Sequence, residues 1–310
     1  MKDKKNRLVA AVFAVFAVIC AIPGGVRWYR TRTSGEAYIK IQQEAATSAA
    51  DANLQTGKSG VGDAVAEKHT EASGAASTAV SAAISASTAV VPGSDEEIPI
   101  DFQSLWTDCP DVYAWIRIPG TKIDYPVCQL VEGDQSFYLN HRADKVEEFA
   151  GAIYSENYNK RDFSDPVTVL YGHDMANGSM FQNLHFYEDR AFFDKNKDVI
   201  VYLPDRVLHY RIFAAYNYND DHLLLNHDNF QDPDEFYFFL QDILTQRSMS
   251  GFVDQNTELT KESRILTLST CNAYDDQRYL VQCLLMNPEV LPKTETAAES
   301  GTASQAQTGR

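Results

Sequence analysis

The run TLSTC closes an apolar-alternating stretch, Arg264 to Thr270, and delivers Cys271 at its end. A thiol at the lip of a strand is exposed on a rigid support, which is what a nucleophile needs. Seven residues later Arg278 opens another β-type run, and the NAYDDQ between them reads as a hairpin loop. A simple hairpin centred on that loop puts Cys271 opposite Arg278, with both side chains on one face. A guanidinium in that place favours the thiolate and can hold a developing oxyanion. The plain alternative is a small buried cysteine beside a surface arginine.

A catalytic cysteine needs a base or an imidazolium, and the chain has 7 histidines. His173 stands out because VTVLYGH repeats the arrangement at Cys271, an apolar strand ending at a glycine with the reactive type at once after it. His209 falls inside a strand, where a structural role is commoner. His141, His185, His222 and His227 lie in polar, loop-like surroundings. The same hairpin register pairs Cys283 near Leu266 and turns it to the opposite face, with Leu268, Val281 and Leu285, so Cys283 reads as core. Cys109 and Cys128 could pair with each other, although nothing in their spacing demands it, and reduced buried thiols are the preferred reading. No HxxxH pair, His/Cys/Asp ligand cluster, GxSxG elbow or phosphate-cradling glycine loop occurs, so no metal or nucleotide cofactor is expected.

The elements that must position these groups are short. WIRIPG, IDYPVCQ, GAIYSE, VTVLYG, VIVYLP, HYRIFAAY, RILTLST and RYLVQCLL are eight β-type runs bounded by Gly, Pro, Asp and Asn. They predict an all-β barrel or sandwich with helical insertions. IDFQSLWTDC opens with a short amphipathic helix. DPDEFYFFLQDILTQR predicts a second helix, with Asp232 as its cap and Pro233 in its first turn.

Along the 310 residues the texture changes. Residues 1–7 are basic, and residues 8–29 hold a long apolar run followed by Trp28 and Tyr29, the pattern of an uncleaved membrane anchor with an interfacial aromatic belt. Residues 30–94, rich in Ala, Ser, Thr and Gly, predict a flexible stalk, and 293–310 a frayed tail of the same composition. The folded unit is then 95–292. The first 32 residues sum to +6 and the net charge is −16, so the rest sums to −22. An acidic body of that size excludes nucleic acid as a partner.

LYGHDM ahead of SMFQNL, TLSTC with an arginine shortly after, IPGTKIDYPV and the YLNH at Tyr138 to His141 together resemble a sortase, most closely class B, over residues 98 to 288. The resemblance implies an eight-stranded β-barrel with short helices, an N-terminal one and one in the connection before the catalytic-cysteine strand. It implies a transpeptidase that cuts a C-terminal sorting signal of secreted proteins and joins the new carboxyl end to a cell-wall amine, without a cofactor. His173, Cys271 and Arg278 take the catalytic positions. Tyr171 and Ser269 match pocket-lining positions, and Leu139 with Leu224 or Leu225 would supply apolar pocket wall. Asn272 departs from the acidic residue often found after the cysteine. The implied partners are proteins bearing a sorting signal, a peptidoglycan precursor or cell-wall peptide amine, and the membrane, with the catalytic domain outside the cytoplasm. A pilin-polymerising enzyme with a lysine acceptor and a non-catalytic surface module are the rival readings.

Overall fold

The computed structural model describes residues 38, 40–43, 96–246, 251–271 and 277–292. The anchor expected at 8–29, the basic segment before it, Asn272 and the tail from 293 lie outside the described residues. Among the described residues no helix is long and apolar enough to cross a membrane.

Among the described residues nine strands form one sheet: β1 (Val112–Arg117), β2 (Asp124–Cys128), β3 (Ile153–Tyr154), β4 (Val167–Tyr171), β5 (Asp198–Tyr202), β6 (Val207–Asn219), β7 (Phe252–Val253), β8 (Ile265–Cys271) and β9 (Gln277–Leu285). Their order is β5-β1-β2-β3-β4-β8-β9-β6-β7, and β6 pairs back onto β5. That last pairing closes a ring of eight strands, leaving the two-residue β7 hung on β6 as an appendage. The barrel therefore forms as the resemblance implies, and the eight β-type runs are its eight staves. Before and between the strands lie the helices α1 (Phe102–Asp108), α2 (Arg190–Lys195), α3 (Leu223–Asn226) and α4 (Pro233–Thr245). Asp101 caps α1 by accepting from the Ser104 amide, and Asp232 caps α4 from the Asp234 amide, with Pro233 in the first turn.

On β8 and β9, strand alternation sends side chains to two different core clusters. Leu266 and Leu268 of β8 and Tyr279, Val281 and Cys283 of β9 point into the barrel. Ile265 of β8, Leu280 of β9 and Val169 of β4 point out, where Phe236, Phe239 and Leu240 of α4 cover them. Each large apolar side chain so buried contributes roughly 1.5–3 kcal/mol. The connection from β6 to β8 thus folds over one outer face of the barrel. Cys109 and Cys128 are buried free thiols in a third cluster around Trp115, and Cys283 is a buried core thiol.

One expectation needs correction. Tyr38 and residues 40–43 fall in the segment read as stalk, yet they are helical, and Tyr38 is only 2% exposed. Its ring meets that of Tyr125 edge-on at 5.5 Å, its hydroxyl donates to the Gly151 carbonyl at 2.5 Å, and the Gln42 amide donates to the Asp124 carbonyl. Tyr38 and Ile41, three apart, put two apolar groups on one helix face. Averaged over 65 residues of Ala, Ser, Thr and Gly, that local pattern disappears from the composition. Gly151, where Tyr38 docks, has φ +59°, and a Cβ there would lie 2.4 Å from the carbonyl oxygens of Tyr138 and Leu139. Only glycine permits that backbone and that approach.

Candidate active site

The β8–β9 ladder pairs Cys271 with Arg278 and Leu266 with Cys283, the register that the hairpin spacing predicts. On its other edge β8 runs parallel to β4, with Tyr171 beside Ser269. The Gly172 amide donates to the Ser269 carbonyl at 3.1 Å, and the Thr270 hydroxyl donates to the Gly172 carbonyl at 2.8 Å, so the register continues past the end of β4. Two residues beyond Tyr171 and Ser269 come His173 and Cys271. His173 follows just past the end of β4, beside the strand ends that carry Cys271 and Arg278. All three line one cleft of about 300 Å³ on the outer face of the barrel. Its floor is built by the outward positions: Val169 and Tyr171 of β4, Thr267 and Ser269 of β8, and Leu280 of β9.

Leu139, Tyr171 and Ser269, expected at the pocket, line this cleft. The sequence pattern misplaces the leucines of α3. Leu224 is fully buried among the side chains under α4, Leu225 is 54% exposed and does not line the cleft, and Leu223 takes the wall position instead. The reason is rotation: successive helical residues are 100° apart, so a one-residue error moves the side chain off the wall.

Several wall residues carry no sequence motif. Glu156 follows β3, its side chain is 15% exposed, and its Oε2 accepts from His222 Nε2 at 2.6 Å. His222 Nδ1 in turn accepts from the Leu225 amide at 3.3 Å, capping α3. One neutral tautomer, with hydrogen on Nε2, satisfies both contacts. This pair fastens the β6–α3 connection to the edge of the cleft, beside Tyr154, Tyr218, Asp220 and Asp221. Burial pushes the Tyr154 and Tyr171 phenols well up, and the Glu156 carboxylate adds to the shift while Arg278 opposes it. Both hydroxyls therefore stay protonated and can donate.

The His173 ring is held by one loop, the connection from β2 to β3. Its Nε2 lies 2.7 Å from the Leu139 carbonyl, and the Phe149 ring stacks on it at 5.5 Å and 20°. A carbonyl only accepts, so Nε2 carries hydrogen and Nδ1 is the atom that exchanges a proton. Burial holds the His173 pKa below its ordinary value of 6.5, against the upward pull of the Leu139 carbonyl and Asp174. A neutral His173 can take the Cys271 proton, and the imidazolium so formed can return it to a departing amine. Because Phe149 shields the ring, Phe149→Ala should admit water and move the His173 titration back up toward 6.5, as read from the ring proton shift in NMR. An unchanged or lower value would show that Phe149 is not what desolvates it.

The remaining histidines have other partners. His209 meets Glu96 at 2.6 Å, His227 meets Glu235 at 2.9 Å, and His141 meets the Phe137 carbonyl at 2.8 Å. Among the described residues no group of three or more His, Cys, Asp or Glu side chains gathers as metal ligands would.

A sortase domain model matches residues 116–286. Sortase B of Listeria monocytogenes is 30% identical over 175 residues, covering 56% of this chain and 68% of that protein. The crystal structure of sortase B from Clostridium perfringens superposes with a TM-score of 0.54 at 30% identity, over 60% of this chain and all of that one. A sortase B–substrate complex from Staphylococcus aureus superposes with a TM-score of 0.53 at 26% identity, over 60% of this chain and 84% of that one. The match spans every strand of the barrel after β1 has begun and includes both strand ends that build the cleft. With the closed barrel agreeing, the chain belongs to the sortase family, in class B, and is a cysteine transpeptidase.

Proposed function

We propose that this enzyme cleaves a sorting signal near the C-terminus of secreted proteins at a threonine carbonyl and transfers the acyl group to a cell-wall amine. The observation that carries the reading is that His173, just past the end of β4, lines one cleft with Cys271 and Arg278, which pair across β8 and β9. Cys271 Sγ, as thiolate, adds to the threonine carbonyl carbon, and the π electrons move onto oxygen, where the Arg278 guanidinium stabilises them. Collapse breaks the C–N bond, and the His173 imidazolium gives its Nδ1 proton to the departing amine. The thioester conserves the energy of the peptide bond. An incoming amine then adds to the same carbon, loses a proton to His173, and expels the thiolate. Tyr171, Ser269 and Leu139 line the space beside the reacting carbonyl and would contact the signal peptide.

In the same proposal, residues 8–29 anchor the chain in the membrane and the barrel works outside the cytoplasm. The test is direct. Peptides carrying a central threonine are incubated with the enzyme and triglycine, and intact mass is followed. The expected result is a covalent adduct on Cys271 ending at threonine, then a threonyl-triglycine product. Cleavage at another residue, or no adduct, would overturn the assignment. Transfer to lysine in preference to triglycine would favour a pilin-type acceptor.

A further inference from the structure

Backbone groups on one edge of β8 are satisfied by β4 until β4 ends. The Ser269 carbonyl accepts from the Gly172 amide at 3.1 Å. Two residues on, the Cys271 carbonyl faces the same edge, but the chain that would serve it has turned away at His173 and Asp174. A buried carbonyl left there would cost stability and let the end of the strand move. His185 fills the place. It sits in the 3₁₀ turn Gln182–Glu188, its side chain is 18% exposed, and its Nε2 lies 3.1 Å from the Cys271 carbonyl oxygen. Its Nδ1 lies 2.8 Å from Glu188 Oε1, and its Nε2 is 3.8 Å from Asp174 Oδ2. Its ring stacks on Tyr279 at 5.0 Å and 29°. His185 is absent from the cleft wall.

We propose that His185 is a positioning residue for Cys271: it adds one rung to the β4–β8 ladder beyond the end of β4 and fixes the peptide that carries the nucleophile. Asp174, in the loop that follows His173, has its carboxylate 3.8 Å from the same nitrogen. The peptide that carries the nucleophile is thereby held from outside the cleft lining. The Cys271 carbonyl only accepts, so Nε2 is the nitrogen that donates to it. This inference rests on the assignment of Cys271 as nucleophile, and the test separates the two.

His185→Phe keeps the stacking on Tyr279 and removes the donor, while His185→Gln restores a donor of similar reach. Peptide cleavage is measured as kcat per titrated Cys271 thiol and as KM, with the melting temperature alongside. For His185→Phe the expected result is a kcat lower by about tenfold with KM within about twofold, since small misplacement of a reacting group costs rate rather than binding. His185→Gln should recover most of the loss. A kcat for His185→Phe within twofold of the parent overturns the proposal, and so does a folded His185→Gln no better than His185→Phe. If His185→Phe does not fold, His185→Met against His185→Gln carries the same comparison. An active Cys271→Ala would instead remove the reading beneath it.

Discussion

Cys271→Ala should lose at least about 10⁴-fold in cleavage of the sorting-signal peptide, because no other group at the cleft can form the acyl-enzyme. Adduct formation and transfer to triglycine should vanish together, since both pass through the thioester. The fold should survive. Cys271 is half-buried at the end of β8, and the side chains that hold the strand, Leu266 and Leu268, are untouched. Cys283→Ala is the informative contrast. That thiol is fully buried inside the barrel, so its loss should cost on the order of 1–2 kcal/mol in chemical denaturation while kcat stays near the parent value. High-performance chromatography of the cleaved peptide and urea melts measure both. Normal turnover by Cys271→Ala would sink the mechanism, whatever the behaviour of Cys283→Ala.

Arg278→Ala should lower kcat by about 10²–10³-fold, equivalent to roughly 2.7–4 kcal/mol of transition-state stabilisation, with a smaller change in KM. The guanidinium is held on β9 directly across from Cys271, and its neighbour Tyr279 anchors the strand inside the barrel. Its charge is therefore delivered on rigid backbone beside Cys271. Arg278→Lys should recover only part of the loss, because an ammonium keeps the charge but lacks the planar fork. Single-turnover measurement of adduct formation isolates the step in question. A drop of less than tenfold for Arg278→Ala would mean that the oxyanion is stabilised by other donors.

Local patterns in the sequence carried much of the barrel. The eight alternating runs become its eight strands, and the short loop after Cys271 sets the β8–β9 register. Asp232 and Pro233 begin α4 as their types require. What local pattern could not supply is contact between distant segments. The parallel pairing of β4 with β8 joins residues 98 apart, and neither strand contains a signal naming its neighbour. Hence the alignment of His173 with Cys271 is a property of the closed barrel, and the spacing alone suggests only that each ends a strand. The Glu156–His222 pair was hidden for the same reason, its members being 66 residues apart in polar stretches. β7, two residues long, is below the length at which alternation can be read.

The docking of Tyr38 bears on how far the enzyme can reach. If residues 8–29 span the bilayer as proposed, the link to the barrel is the short stretch 30–37, which even fully extended covers only about 30 Å. The long Ala/Ser/Thr/Gly segment from 44 to 95 leaves the barrel at Gln43 and returns to it at Glu96, so its length adds nothing to that reach. On that proposal the enzyme would work on a leash rather than a pole, confined to carbonyls and amines presented close to the bilayer. The pin of that leash is the Tyr38 hydroxyl on Gly151, in the same loop whose Leu139 carbonyl holds His173.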